Sequence, residues 1–395
     1  MHRSSAFLWL VLSQLACGGR ASPDGTPSAD AGIASPPTPP PACVLDPGFP
    51  PGTSVVACGF PPHVTLVGAD SVALYALSEA GAFYRIDKTT GDRTLLYQAP
   101  SSPQTGPVVF ARGLGDDAAL AGGELLAFTL GGGVWALDPS RPSTPVNVLG
   151  DVFENPPLVD DTSMYFLRAD MGPGYIQYVD VERAPVSGGS GTVLVPTYDT
   201  PVALGGGFVY LATPVDGSTM DPPYPQLVRV PVGGGAVGPV LDTLDTSGVA
   251  GAIAADADAV YVIGSSHTSG IQASYPITRF PAAGGAPTTL ATLGPIDPEV
   301  PGPVPWRLRL DDVYVYFLGS SEMGEVFGTS SAIYRVPNAA PSSTPELVAA
   351  ATSLGPPVFD AEFVYIALQR GGTDDPIEGT ILRLPKSALP PPATK

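Results

Sequence analysis

The side chains best suited to chemistry in this chain recur at nearly fixed intervals. Arg85, Arg183, Arg229, Arg279, Arg335 and Arg383 are six of its 18 basic residues. Each is the third residue of a phrase such as Leu227-Val228-Arg229-Val230-Pro231 or Ile381-Leu382-Arg383-Leu384-Pro385. Upstream of these phrases an aspartate stands five residues before a tyrosine. The copies are Asp70/Tyr75, Asp160/Tyr165, Asp256/Tyr261, Asp311/Tyr316 and Asp360/Tyr365, with Gly205/Tyr210 and Ala121/Leu126 degenerate. A row of guanidinium groups can bind anions, and a row of carboxylates can bind calcium. A residue repeated in step with a fold usually serves that fold. The arginines are therefore expected to make ion pairs or backbone hydrogen bonds within and between repeats. The aspartates are expected to cap the turn that enters the tyrosine strand. No metal site is expected, since Asp256-Ala257-Asp258 alone offers too few ligands.

Familiar catalytic patterns are missing. The chain contains no H-E-x-x-H, no Walker loop and no G-x-S-x-G, and no cofactor is indicated. Beyond His2 the histidines are His63 and His267. His267, in Gly264-Ser265-Ser266-His267-Thr268, is the more interesting, although a lone loop histidine needs a partner to act as a base. Acidic residues are plentiful, so a carboxylate-based hydrolase stays open, with no pair singled out.

Connection length is more informative. From the anchor tyrosine (or Leu126) to the phrase's third residue the distance is 10 residues in the first two copies. It is 18, 19, 18, 19 and 18 in copies three to seven. These insertions carry Asp216, Asp221, Tyr224, His267, Tyr275, Glu322, Glu325, Phe327, Asp374 and Asp375, with Glu299 and Trp306 on another long connection. Long loops on a rigid scaffold are where binding usually resides, and they are also tolerated as solvated insertions. The binding face expected from them comprises Asp221, Tyr224, His267, Tyr275, Trp306, Glu322, Phe327 and Asp374.

The elements that position these loops follow from the period. Counting Ala136 in Val134-Trp135-Ala136-Leu137-Asp138, the third positions step by 51, 47, 46, 50, 56 and 48 residues. A period near fifty on β-branched and aromatic sequence indicates a propeller blade. The tyrosine lies in runs such as Ala259-Val260-Tyr261-Val262-Ile263, and Gly-Gly pairs at 188, 234 and 284 read as hairpins into a fourth strand. The fold expected is all-β: a seven-bladed β-propeller of four-stranded antiparallel blades. The last copy lacks its outer strand, whereas Thr53-Ser54-Val55-Val56-Ala57 is a spare strand at the front. That N-terminal strand is expected to close the last blade.

The first residues have the pattern of an export signal. His2 and Arg3 precede the apolar run Ala6 to Leu12, followed by Ala16-Cys17-Gly18. Residues 1–17 are expected to be a lipoprotein-type signal peptide, 18–42 a Pro/Ala/Ser-rich tether, 43–390 the propeller and 391–395 a tail. Seven prolines and no aromatic residue in the tether deny it a core. Cys43 and Cys58 form an even pair in an exported chain, so a disulfide is expected. No later stretch is long and apolar enough to span a bilayer. A net charge of −19 repels phosphate backbones, so nucleic acid is not an expected partner.

The Asp…Val-Tyr…Arg-Val-Pro…Gly-Gly pattern, over about residues 53 to 386, resembles that of β-propeller lipoproteins of Gram-negative bacteria. Leu15-Ala16-Cys17 resembles their lipobox, with Gln14 where leucine is usual. The resemblance implies lipidation at Cys17. Gly18 after the cysteine resembles lipoproteins sent to the outer membrane, with a secreted or periplasmic location as the alternative. The anchor, the tether and the one-sided loops point to a monomer that touches the membrane through its anchor and acts as a binding or scaffold module for a protein or polymer of the cell envelope. A propeller hydrolase or lyase acting on such a polymer is the alternative.

Overall fold

The computed structural model describes residues 45, 49–61, 64–78, 81–99, 118–128, 133–150, 157–172, 175–196, 200–213, 226–241, 253–264, 266–267, 273–293, 304–320, 331–341, 343–351, 353–370 and 378–389. The chain divides into Met1–Pro40 and Pro41–Lys395, and all described residues belong to the second unit. Among them, no helix is long and apolar enough to cross a membrane.

The first strand, β1 (Ser54–Phe60), belongs to the last blade. Blade 1 is β2 (Val64–Ala69), β3 (Ala73–Ser78), β4 (Ala82–Asp87) and β5 (Arg93–Gln98). Blade 2 is β6 (Ala118–Ala121), β7 (Glu124–Phe128), β8 (Val134–Leu137) and β9 (Val146–Leu149). Blade 3 is β10 (Leu158–Val159), β11 (Ser163–Gly172), β12 (Tyr175–Pro185) and β13 (Thr192–Val195). Blade 4 is β14 (Thr200–Gly205), β15 (Phe208–Thr213), β16 (Gln226–Pro231) and β17 (Gly238–Leu241). Blade 5 is β18 (Ile253–Ala255), β19 (Ala259–Ile263), a short β20 (Ser266–His267), β21 (Ala273–Pro281) and β22 (Thr288–Leu293). Blade 6 is β23 (Val304–Leu310), β24 (Tyr314–Ser320), β25 (Ser331–Pro337) and β26 (Glu346–Ala351). Blade 7 has inner pieces β27 (Ser353–Leu354) and β28 (Val358–Phe359), then β29 (Phe363–Arg370) and β30 (Glu378–Pro385). Its outer strand is β1, antiparallel to β30 from Ser54↔Arg383 to Phe60↔Gly379.

The repeat acquires a physical meaning in the register. Each anchor tyrosine lies directly opposite its arginine across strands two and three: Tyr75↔Arg85, Tyr165↔Arg183, Tyr210↔Arg229, Tyr261↔Arg279, Tyr316↔Arg335 and Tyr365↔Arg383. In blade 2 the pair is Leu126↔Ala136. In blades 3 to 7 the proline that follows ends the third strand, where its missing N–H interrupts no ladder. In three blades that proline's carbonyl accepts the N–H of the first Gly-Gly glycine, Gly188, Gly234 or Gly284, closing the turn. Gly188 has φ 89°, a left-handed value that a residue with a Cβ rarely adopts.

The core lies between blades. Seven apolar clusters of buried residues occupy the seven seams. Tyr261, Ile277, Leu308 and Phe317 lie between blades 5 and 6, and Phe60, Tyr365 and Ile381 meet Leu66, Leu74 and Ile86 between blades 7 and 1. A cluster at the 7/1 seam like the other six means that the ring is closed by packing as well as by β1 pairing. Closure removes the free edges of an open array.

Candidate functional site

Strands alternate in direction, so every blade sends its strand 2–3 hairpin and its outgoing connection to one face. The strand 1–2 and strand 3–4 turns gather on the other face. The five lengthened hairpins of blades 3 to 7 thus share a face. In blade 3 the added residues prolong the ladder. β11 and β12 stay paired to Gly172↔Tyr175, while their sheet neighbours β10 and β13 pair only with 164–165 and 181–183. The result is a two-stranded ribbon standing beyond the four-stranded sheet. In blade 5, β20 lengthens the hairpin through Ser266↔Ser274 and His267↔Ala273. Blades 4, 6 and 7 hold their pairing to Thr213↔Gln226, Ser320↔Ser331 and Arg370↔Glu378.

The residues expected on this face are placed as follows. His267 lies on β20 and Trp306 on β23. Tyr275 departs from its expected place. On β21 it pairs with Leu293 of β22, and its ring is buried at the 5/6 seam with Ile277, Leu290 and Phe317, so it is a core residue. The cause is local: β21 begins at Ala273, which draws Tyr275 into the sheet. Asp216, Asp221, Tyr224, Glu299, Glu322, Glu325, Phe327, Asp374 and Asp375 lie outside the described residues, as do Cys17, Cys43 and His63. Cys58 sits on β1. Among the described residues no group of three His, Cys, Asp or Glu side chains could hold a metal ion.

The repeated polar residues belong to the frame. In Asp70, Oδ1 accepts the N–H groups of Val72 and Ala73, and Oδ2 accepts the Tyr75 hydroxyl at 2.7 Å. Asp160, Asp256, Asp311 and Asp360 repeat this arrangement with Tyr165, Tyr261, Tyr316 and Tyr365. Burial alone would raise the carboxyls of Asp70, Asp160, Asp311 and Asp360. The tyrosine or lysine side chains and the turn amides outweigh it and hold all four below their ordinary value. Asp360 falls to about 2. The tyrosines move the other way, through burial first and then the adjacent carboxylate. Tyr75 and Tyr261 are pushed up to about 12.

The arginines bind within blades and across seams. Arg183 Nε donates to Ser163 Oγ at 2.8 Å, and Arg383 Nε to Ser54 Oγ at 2.8 Å on the closing strand. Arg335, 2% exposed, pairs with Glu346 at 3.0 Å and lies over the Tyr314 ring. Two lysines outside the repeat complete the set. Lys88 bonds Asp360 across the 7/1 seam at 2.6 Å, and Lys386 bonds Asp311 across the 6/7 seam at 3.0 Å. The available signal was a basic residue three positions after the arginine in the first and last copies.

No protein-family model matches the chain, and no curated protein matches it in sequence. Its fold is similar to that of solved propellers. An oligogalacturonate lyase from Vibrio parahaemolyticus superposes with a TM-score of 0.56 at 9% identity, covering 86% of this chain and 96% of the lyase. An oligogalacturonate lyase in complex with manganese gives 0.51 at 12% identity, with the same coverage. An acylaminoacyl peptidase gives 0.50 at 10% identity, over 82% of this chain and 52% of the peptidase. Identities this low carry the fold alone.

Proposed function

We propose that this chain is a lipid-anchored β-propeller of the bacterial cell envelope that binds a protein or polymer partner through the long hairpins of blades 3 to 7. The observation that carries the reading is the one-sidedness of the insertions. Five successive blades are lengthened by eight or nine residues at the same corner, where two other blades of the same ring are not. The repeated aspartates and the tyrosines that they hold are engaged in the frame, so recognition on this face falls to elements that differ from blade to blade. The anchor belongs to the same proposal: Cys17 carries the lipid, residues 18–42 hold the propeller off the membrane, and the location is the outer membrane. So does a Cys43–Cys58 disulfide, supported by the two cysteines forming an even pair in a chain with an export-type leader. The test is a cross-linking pull-down in the native envelope. A specific partner should be captured, and capture should be lost when the hairpins of blades 3 to 7 are shortened to the length in blade 1. Capture that survives the trimming removes the case for this face.

A second reading is a hydrolase or lyase acting on an envelope or extracellular polymer. What favours it is the superposition on two oligogalacturonate lyases over 96% of their length. It predicts new reducing ends or amines when the pure protein is incubated with glycans and peptides, whereas the binding reading predicts no turnover.

A further inference from the structure

The face opposite the long hairpins carries a separate feature. A groove of about 280 Å³ opens between blades 3 and 4, lined by Thr162, Ser163, Arg183, Ser190, Thr192 and Val232, with Leu194 on its flank. Thr162, Ser190 and Val232 come from turns, Ser163 and Arg183 from the adjoining ends of β11 and β12, and Thr192 and Leu194 from β13.

The repeat supplies internal controls for why the groove is there. In two other blades the equivalent guanidinium crosses to its neighbour. Arg229 donates through Nη1 to the Ala282 carbonyl of blade 5, and Arg383 through Nη1 to the Lys88 carbonyl of blade 1 at 3.3 Å. Both acceptors stand three residues beyond the neighbour's own arginine, Arg279 and Arg85 respectively. For Arg183 the matching position is Val232, three beyond Arg229. Val232 lines the groove together with Arg183. Among the described residues, the hydrogen bond of the Arg183 side chain goes from Nε to Ser163 Oγ in its own blade. The volume that a cross-blade bridge spans at two other seams is therefore a groove at this one.

The lining selects a ligand class. A guanidinium fork matches a carboxylate through two parallel N–H···O bonds, and the Ser190 and Thr192 hydroxyls add donors, while the Thr162 hydroxyl donates to Asp160 Oδ1. One cation is present, and Asp160 lies close enough for Tyr165 to feel both its charge and that of Arg183. The whole chain carries −19. A dianion would set its second charge against this field, whereas a carboxylate brings only one. Ala184, Pro185, Leu194 and Val232 offer apolar contact to the rest of the ligand. We propose that the groove between blades 3 and 4 binds the carboxylate of a small ligand, Arg183 taking the oxygens that a backbone carbonyl supplies at the other seams.

The test is NMR titration of the full chain, isotopically labelled, at constant ionic strength. The probes are hexanoate, the tripeptide Ala-Ala-Leu as free acid and as C-terminal amide, hexanamide and inorganic phosphate. Saturable shifts confined to residues 160–163, 183–194 and 232–233 are expected with hexanoate, with the free-acid tripeptide, or with both. The comparison tells a free acid from a peptide terminus. The amides should bind about tenfold more weakly or not at all. Arg183→Gln should abolish the response. Thr192→Trp, an exposed change that leaves Arg183 in place, should abolish it by filling the groove, which guards against a folding defect in the first variant. No saturable shift with either acid, shifts unchanged in both variants, or phosphate binding as tightly as the acids would overturn the proposal.

Discussion

Lys88 Nζ lies 2.6 Å from Asp360 Oδ2, joining residues 272 apart across the seam where the ring closes. The lysine side chain is 9% exposed and also sits over the Tyr365 ring, 4.9 Å from its centroid. Asp360 meanwhile caps its own turn through Glu362 and Phe363 and accepts the Tyr365 hydroxyl. One carboxylate thus serves the turn, the strand and the seam.

This layering orders two mutational effects. Lys88→Met should cost about 1–2 kcal/mol, because Asp360 keeps its other donors. Asp360→Ala should cost about 2–4 kcal/mol, because the turn amides and a buried hydroxyl lose their acceptor together. Urea unfolding of both variants is the measurement. An Asp360→Ala variant no less stable than Lys88→Met would refute the layering.

The same triads set a pH window. Asp70, Asp160, Asp311 and Asp360 have lowered values in the fold, so their contribution is complete above the unfolded carboxylate value near 4. It is lost as pH falls toward 2. Tyr75 and Tyr261 are raised to about 12, so their contribution holds below about pH 10 and is lost as pH rises toward 12. Melting temperature should be flat between about pH 5 and 9 and fall on both sides. A melting temperature still climbing below pH 4 would contradict the acid limb.

Removing the closing strand should be far more damaging than removing the tether. Deletion of residues 44–59 strips nearly all of β1 and exposes the length of β30 as an unpaired edge. A sharp drop in melting temperature with concentration-dependent association is expected. Deletion of residues 18–42 should leave the melting curve nearly unchanged. Light scattering during thermal unfolding distinguishes the two, and equal behaviour would sink the closure argument.

The proposed covalent features have direct assays. An alkyne fatty acid fed to cells should label the wild-type protein and not Cys17→Ser, which should also leave the membrane fraction. Peptide mapping without reduction should recover Cys43 joined to Cys58, stabilising the chain by about 2–3 kcal/mol. A soluble, unlabelled wild-type protein refutes the anchor, and two alkylatable thiols refute the bridge.

The architecture was legible because Asp, Tyr and Arg mark the same pairing in five of the seven blades: one lies opposite another or caps its turn. Spacing alone therefore located the strands and the missing outer strand of blade 7. The direct bond from each aspartate to the tyrosine hydroxyl was not read, since i, i+5 becomes a contact only once the turn folds back. Gly205 shows a further limit. A Cβ there would run into the Asp256 carbonyl of the next blade, so the aspartate is excluded from blade 4 by a neighbour 51 residues away. The Tyr210 hydroxyl is left buried without an aspartate acceptor. Recognition on the hairpin face is less legible for the opposite reason. Its residues obey no period, so nothing in their spacing says which ones converge, and Tyr275 went to the core unannounced.

Because β1 precedes the other strands of the ring and its partner β30 follows them, the ring has no means of closing until β30 has been made. Every intermediate length of chain carries an unfinished circle with its first strand waiting. The seam is therefore also an order in time: a chain that stops before β30 stays open and exposes a strand edge.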